Sequence, residues 1–168
     1  MEYNDDSIKS LDWKDAIRRR PGMYIGRLGD GNSAGDGIYV LLKETVDNSI
    51  DEFRAGNGRN IIINVTDQDV YVRDFGRGIP LNKVIDVTSK LHTGAKFDSE
   101  VFVKSVGLNG VGLKAVNALS TSFYAESFRD GESAWVEYSR GELVGSGKRD
   151  NLKEKNGTLV RFTPDAGL

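Results

Sequence analysis

The residues with the most obvious capacity for chemistry lie between positions 43 and 52. At about 100° per residue, Glu44, Asn48 and Asp51 fall within one narrow sector of a helix. The apolar residues around them fill a wider and different sector, which predicts a helix anchored by that face: Ile38, Leu41, Leu42, Val46, Ile50 and Phe53. A carboxylate beside an amide oxygen suits a general base next to a ligand for a hard cation. A solvated polar face is the alternative that this stripe leaves open.

A second candidate site is the run DFGRGIP at positions 74–80, where a predicted strand ends. Its two glycines allow the backbone to pass close to a flat ligand, and Ile79 and Pro80 would form rigid apolar walls. Asp74 would be a buried hydrogen-bond acceptor, suited to a ring amino group such as that of adenine. An ordinary turn built from aspartate and glycine would contain the same residue types.

A third candidate is the glycine cluster that precedes a predicted helix: Gly107, Leu108, Asn109, Gly110, Val111 and Gly112. Free amides at the start of a helix favour an anion such as a triphosphate. The cluster is not a Walker A loop, because Leu113 follows the last glycine where that motif requires Lys and then Ser or Thr. It does match the loose dinucleotide fingerprint, so a Rossmann-type oxidoreductase and a closely packed helix both stay open. Lys96, beside Gly94, could close over phosphates as part of a lid, or simply be exposed.

Composition narrows the function classes. The chain has 168 residues, a formal net charge of −2, one His and no Cys. This length suits one domain with a real core, and the charge gives no overall basic surface for nucleic acid. The absence of Cys excludes a disulfide scaffold and a Cys-based metal site, and is compatible with the cytoplasm. No apolar run reaches membrane-spanning length.

Periodicity predicts an α+β fold. Helices are expected at 12–20, along the 43–52 segment, at 81–91 and at 111–119, and strands at 61–65, 70–72, 122–129, 133–140 and 158–163. Helices cluster early and strands cluster late. We therefore expect a two-layer sandwich in which helices cover one face of a mainly antiparallel mixed sheet.

Five motifs in order resemble a known family. They are RPGMYIG at 20–26, ETVDNSIDE at 44–52, DFGRGIP at 74–80, GLNGVG at 107–112 and GTLVRF at 157–162. Together they resemble the ATPase domain of bacterial type II DNA topoisomerases, namely the B subunit of DNA gyrase and its topoisomerase IV counterpart. This domain has the Bergerat, or GHKL, ATP-binding fold, shared with the large heat-shock chaperone, MutL and histidine kinases. The resemblance runs from about Ser10 to the end of the chain.

The resemblance implies roles for individual residues. Glu44 would activate the water that attacks the γ-phosphate of ATP, and Asn48 would hold Mg²⁺ through its amide oxygen. Asp51 would support the site. Asp74 would accept a hydrogen bond from the adenine amino group, helped by a water held on Thr158.

The remaining nucleotide contacts also follow from the resemblance. The mouth of the adenine site, which in this family also receives antibacterial inhibitors, would be lined by Arg77, Gly78, Ile79 and Pro80. Arg129 matches an arginine at the rim of the same pocket. Lys96 and the backbone amides of the 107–112 cluster would bind phosphates.

Two positions depart from the family pattern. Asn109 stands where gyrase B subunits usually have His, and Phe102 where they often have Tyr, so phosphate contacts from those side chains are not carried over. The short connection between Pro80 and His92 favours a topoisomerase IV-like subunit. The alternatives within the fold group are a mismatch-repair ATPase and a histidine kinase, and the lack of a dimerising helix with a phospho-acceptor His argues against the kinase.

The resemblance also sets expectations for the whole protein. Residues 1–168 are expected to form a single N-terminal ATP-binding domain, truncated from a larger cytoplasmic subunit. The fragment is expected to be monomeric, to bind ATP and ATP-site inhibitors, and to hydrolyse ATP poorly. The full-length protein would dimerise and act on DNA together with a DNA-cleaving partner subunit.

Overall fold

The computed structural model of the protein describes residues 13–22, 37–58, 60–66, 68–89 and 112–166. The first helix, α1, covers residues 13–19 and ends before Pro21, as predicted. Trp13 and Ile17 of α1 are buried in the core. Arg18 donates hydrogen bonds to the carbonyl of Ala118 and to the Asp165 carboxylate, at 2.9 and 2.8 Å. Arg18 therefore joins α1 to the end of a later helix, at Ala118, and to the residue after the last strand, Asp165.

The described strands form one six-stranded sheet. Its strands are β1 (Ile61–Val65), β2 (Val70–Asp74), β3 (Ser120–Arg129), β4 (Glu132–Ser139), β5 (Glu142–Arg149) and β6 (Gly157–Pro164). Their order across the sheet is β1-β2-β6-β3-β4-β5, and every pairing is antiparallel. A Rossmann-type fold requires parallel strands joined by helices, so this sheet contradicts the oxidoreductase alternative.

The other described helices pack against the sheet. They are α2 (Gly37–Arg54), a short 3₁₀ turn (Leu81–Lys83) that leads into α3 (Val84–Ser89), and α4 (Gly112–Ala118). Leu41 of α2 and Val116 of α4 join Val72, Phe123 and Val160 of the sheet in one hydrophobic core. The predicted two-layer α+β fold is confirmed. The predicted helix at 81–91 is divided into the 3₁₀ turn and α3, and its last two residues lie outside the described part.

Strand β5 was not predicted from the sequence. Glycines at 145 and 147 interrupt its apolar alternation, and Leu143 and Val144 are exposed because β5 is an edge strand. The Trp135 ring lies over both glycines, and a Cβ added at Gly147 would come within 2.7 Å of the indole nitrogen. The strand therefore depends on a cross-strand tryptophan rather than on its own side chains.

The predicted apolar sector of α2 was wrong in part. Phe53 is 50% exposed, whereas Thr45 and Ser49 are only 1% and 4% exposed. The deeply buried ridge is Leu41, Thr45 and Ser49, spaced four residues apart. Polar residues lie on this ridge because it faces a cavity between α2 and the sheet, so polarity along the sequence misplaced the buried face.

Candidate functional site

A cavity of about 160 Å³ lies between α2, the end of β2, α4 and the central strands. It brings together predicted site residues from distant parts of the sequence: Asp74, Arg77, Gly78, Ile79, Pro80, Arg129 and Thr158. The volume is below the ~300–1,000 Å³ typical of a pocket for a whole drug-sized ligand. The described walls therefore suit a compact group, such as one ring system.

Asp74 forms the polar floor of this cavity. Its Oδ1 accepts hydrogen bonds from the backbone amides of Gly76 and Thr158, both at 3.1 Å, and its Oδ2 accepts one from the Ser49 hydroxyl at 3.0 Å. A carboxylate offers about four acceptor positions, so one remains on Oδ2 in a cavity-lining residue. Burial raises the pKa of Asp74, although these three hydrogen bonds oppose the rise.

Glycine residues make this floor possible. Gly157 has a φ of +142°, and a Cβ there would lie 2.1 Å from the carbonyl oxygen of Asp74. A Cβ on Gly76 would lie 2.6 Å from Oε2 of Glu52. Gly78 has a φ of +77°, and its Cβ would meet the carbonyl of Phe128 at 2.8 Å. Only glycine lets β6 approach the end of β2 this closely, and only glycine lets the turn after β2 approach α2 and β3.

An ion pair marks one edge of the cavity. Glu52 on α2 accepts hydrogen bonds from the backbone amide of Arg77 and from its guanidinium Nη2, both at 2.9 Å. Burial alone would raise the pKa of Glu52, but these hydrogen bonds and the positive charge of Arg77 outweigh it and lower the pKa. The pair joins α2 to the turn after β2, and both residues line the cavity.

Behind the floor, Arg73 supports the end of β2 from the opposite face of the sheet. It is 4% exposed and donates hydrogen bonds to the carbonyls of Asp74 and Lys155. Its guanidinium also lies 4.5 Å and 4.7 Å from the ring centres of Phe75 and Phe128. This arginine ties the end of β2 to the segment before β6, and so helps to fix the position of Asp74.

The predicted acidic stripe lies on a neighbouring sector of α2. Glu44 and Asp51 do not line the cavity described above. They lie about 100° around the helix from Thr45, Ser49 and Glu52, which do. Burial, and then the negative charge of Asp47, raises the pKa of both Glu44 and Asp51. Asn48 lies in α2 between them, and its side chain is outside the described part of the structure.

Several predicted residues are not described: Lys96, Gly107, Leu108, Asn109, Gly110 and Val111. Their predicted phosphate contacts stay predictions. Phe102 and Asn109, the two departures from the family pattern, also lie outside the described residues. Gly112 is described as the buried first residue of α4, and the next residue, Leu113, lines the cavity.

Sequence reasoning missed part of the cavity wall: Thr45, Ser49, Glu52, Val72, Val87, Leu113 and Val160. Two signals could have found some of them. Thr45, Ser49 and Glu52 follow helical spacing from Leu41, and Val72 shares a strand face with Asp74 at a spacing of two.

The acids of the described chain do not form a protein-only metal site. No group of three or more His, Cys, Asp or Glu side chains within the described ranges could hold a metal ion. Mg²⁺ commonly takes only one or two protein ligands together with waters and substrate phosphates, so it does not require such a group. Among the described helices, none is both long and apolar enough to cross a membrane.

Comparison with known proteins agrees with this geometry. Residues 34–167 match the family described as histidine kinase-, DNA gyrase B-, and HSP90-like ATPase. The chain is 51% identical over 168 residues to the B subunit of DNA topoisomerase 4 from Borreliella burgdorferi, and 41% identical over 172 residues to the B subunit of DNA gyrase from Mycolicibacterium smegmatis. The alignments cover 100% and 98% of this chain but 28% and 25% of those relatives. The chain thus spans about a quarter of their length.

The fold has a close counterpart among solved structures. The 43K ATPase domain of Thermus thermophilus gyrase B, crystallised in complex with an aminocoumarin, superposes with a TM-score of 0.75 at 31% identity. The match covers 96% of this chain and 41% of that one. The family match covers most of the chain and the fold superposes on that of a relative, so the chain belongs to the histidine kinase-, DNA gyrase B-, and HSP90-like ATPase family.

Proposed function

We propose that this chain is the ATP-binding and ATP-hydrolysing domain of a type II DNA topoisomerase. One observation carries the proposal: in a small cavity, Asp74 is held by three hydrogen bonds and keeps one acceptor position. The adenine amino group donates a hydrogen bond and would occupy that position. Guanine carries a carbonyl oxygen at the equivalent ring position, which would face the carboxylate with like charge.

The remaining walls suit a flat, apolar ring. Val72 and Val160 come from the sheet, Ile79 and Pro80 from the turn after β2, and Leu113 from α4. Arg77 and Arg129 would lie at the open rim. The gyrase B relative was crystallised with an aminocoumarin, and we propose that the same rim admits ATP-site inhibitors in this chain.

Hydrolysis would use the acidic stripe on α2. A general base works best when its pKa is near the working pH, and burial already moves the pKa of Glu44 in that direction. Glu44 would therefore accept a proton from the attacking water. Asn48 would hold Mg²⁺, which neutralises phosphate charge when it is bound. Asp51 would help to keep these two residues in position.

The whole protein's activity is inferred from its relatives. We propose that the full-length protein dimerises and couples ATP use to changes in DNA topology, with DNA and a DNA-cleaving subunit as its partners. Identity of 51% to a topoisomerase IV protein against 41% to a gyrase protein supports a topoisomerase IV-like assignment. The 168-residue chain alone would bind ATP and turn it over slowly.

The decisive experiment removes the charge of Asp74 and leaves the size of its side chain almost unchanged. In Asp74→Asn, the two backbone amides hold the carbonyl oxygen, so the amide NH₂ faces the ligand and meets the adenine amino group as a second donor. We expect ATP affinity to fall by about 100-fold, as expected for a buried unsatisfied donor. Calorimetric titration with ATP and GTP would measure this.

The matched control is Asp150→Asn, because Asp150 is exposed and lies outside the cavity. It should bind ATP as the unmodified chain does. Equal ATP affinity in Asp74→Asn and the unmodified chain, or equal affinity of the unmodified chain for GTP and ATP, would remove Asp74 from base recognition.

A further inference from the structure

A corner of the protein outside the cavity carries an excess of positive charge. Three arginines lie at the end of α1 and a fourth lies in the turn between β4 and β5. We refer to these four residues as the arginine corner: Arg18, Arg19, Arg20 and Arg140. None of them lines the cavity, and the proposed function gives them no role.

Two of these arginines are held together by one carboxylate. Nη2 of Arg18 and Nε of Arg140 both donate hydrogen bonds to Oδ2 of Asp165, at 2.8 and 2.9 Å. The side chain of Asp165 is only 7% exposed, whereas that of Arg140 is 52% exposed. One buried negative charge therefore fixes two guanidinium groups beside each other, and their combined charge stays positive.

Most of the hydrogen-bond donors of the arginine corner are unused. A guanidinium group carries five N–H donors. Within the described part of the chain, the terminal nitrogens of Arg140 donate to no residue. Arg19 and Arg20 are exposed, and their side chains make no hydrogen bond or ion pair with any described residue. These donors are therefore available to an anion.

Stabilisation of the α1 dipole does not account for the whole corner. Cations in the last turn of a helix complement its dipole, but Arg140 belongs to a different hairpin. Nor do nearby acids balance the charge, since Glu142 is already paired with Lys14. The corner has four guanidinium groups against two carboxylates, Asp15 and Asp165, in a chain whose formal net charge is −2.

We propose that the arginine corner binds the phosphate backbone of DNA. This inference rests on the proposed function, because it takes DNA to be the substrate of the full-length protein. A guanidinium group stays charged and can bind two phosphate oxygens through parallel hydrogen bonds, which an ammonium group cannot do. Contacts to phosphates carry no sequence information, so the binding is independent of sequence and strongly dependent on salt.

This DNA site is separate from the nucleotide site, although α4 reaches both. Leu113 lines the cavity near the start of α4, and the carbonyl of Ala118 at its end accepts the hydrogen bond from Arg18 at 2.9 Å. A helix of seven residues is about 10 Å long, so the two sites lie at its opposite ends. Substitutions in the corner should therefore leave ATP affinity unchanged.

The test measures binding of a fluorescently labelled DNA duplex of mixed sequence by anisotropy, at several salt concentrations. Three chains are compared: the unmodified chain, a corner variant and a control variant. The corner variant combines Arg19→Gln, Arg20→Gln and Arg140→Gln. The control variant removes the same charge at exposed positions elsewhere, through Arg54→Gln, Lys153→Gln and Lys155→Gln.

We expect the corner variant to bind DNA about 10-fold more weakly, or worse, at low salt. The slope of log affinity against log salt should become shallower by about 2 to 3, since each phosphate contact contributes about 0.9. The control variant should keep the slope of the unmodified chain. Both variants should bind ATP as the unmodified chain does.

Several results would overturn the inference. They are an unmodified chain that does not bind DNA at low salt, an unchanged affinity in the corner variant, and equal losses in both variants. Polyglutamate is added as a competitor, and displacement of DNA at an equal concentration of charge would assign the corner to acidic protein segments instead. Failure of the proposed function looks different, because the unmodified chain would then not bind ATP, whatever its affinity for DNA.

A second variant keeps the test valid if the corner variant does not fold. Arg140→Gln removes a hydrogen bond to Asp165, whereas Arg19 and Arg20 have no side-chain partner among the described residues. The double variant Arg19→Gln, Arg20→Gln should therefore unfold at the same temperature as the unmodified chain. Its salt slope should become shallower by about 1 to 2. A slope equal to that of the unmodified chain would overturn the inference.

Discussion

The floor of the cavity and the acidic stripe of α2 hold their carboxylates in different ways. Asp74 is fixed by two backbone amides and one hydroxyl, at distances of 3.0 to 3.1 Å. Glu44 and Asp51 have pKa values raised by burial and by the nearby charge of Asp47. Burial raises the pKa of all three acids, but three hydrogen bonds oppose the rise at Asp74 and fix the geometry of its carboxylate. This difference supports our proposal that Asp74 recognises the base and that Glu44 takes part in proton transfer.

The largest expected effect comes from disturbing the floor through Gly157. In Gly157→Ala the new methyl group would meet the Asp74 carbonyl oxygen at 2.1 Å, with φ at +142°. We expect a loss of at least about 3 kcal/mol in the free energy of unfolding, from overpacking and backbone strain, together with loss of ATP binding. Urea unfolding would measure the stability.

The control for this change is Gly56→Ala, which also has a positive φ, +84°, but has nothing within 4 Å of the added Cβ. It should cost only about 1 kcal/mol. A cost for Gly157→Ala no greater than that of Gly56→Ala would mean that the floor adjusts, and the contrast between the two regions would weaken.

The next largest effect separates binding from chemistry. Glu44→Ala in the full-length protein should keep ATP bound but lower turnover by about 10² to 10⁴-fold, the usual contribution of a general base. Steady-state hydrolysis and ATP titration together would show this. Glu132→Ala removes an exposed glutamate on β4 and should leave turnover unchanged. Full activity in Glu44→Ala would assign the base elsewhere.

A smaller effect comes from removing one donor to the floor. Ser49→Ala deletes the hydrogen bond to Oδ2 of Asp74, and should lower the free energy of unfolding by about 1 to 2 kcal/mol and weaken ATP binding. Ser133→Ala deletes a buried serine-to-glutamate hydrogen bond on the other face of the sheet. It should cost similar stability and leave ATP affinity unchanged, so a similar ATP loss in both variants would argue against the specific role of Ser49.

The smallest effect concerns the pKa of Glu44. Because the charge of Asp47 raises the pKa of Glu44, Asp47→Asn should lower it. Glu44 must be deprotonated to act as a base, so the fall in hydrolysis at acidic pH should move to lower pH. NMR titration of the Glu44 carboxyl would measure the shift. Asp15→Asn is the control, since it removes an exposed carboxylate on α1 that does not contribute to the Glu44 shift. An unchanged Glu44 pKa in Asp47→Asn would leave burial as its sole cause.

The sequence was a good guide where local pattern decides structure. The pattern of short apolar runs joined by a tight turn located β1 and β2, which pair in register from Ile61 opposite Asp74 to Val65 opposite Val70. It failed for β5, whose two glycines pack under Trp135 from another strand, and for α2, whose buried ridge is partly polar. In both cases a partner distant in sequence decided the outcome, and a local pattern carries no information about such a partner.

By itself, then, the sequence determined the fold class, the family resemblance and the residues most suited to chemistry, since these depend on residue type, spacing and periodicity. Only the tertiary structure decided how Asp74 is held and that Ser49 and Glu52 share its cavity. Hydrogen-bond saturation and burial are properties of atoms brought together from distant segments. Packing sets them, and residue order along one segment does not.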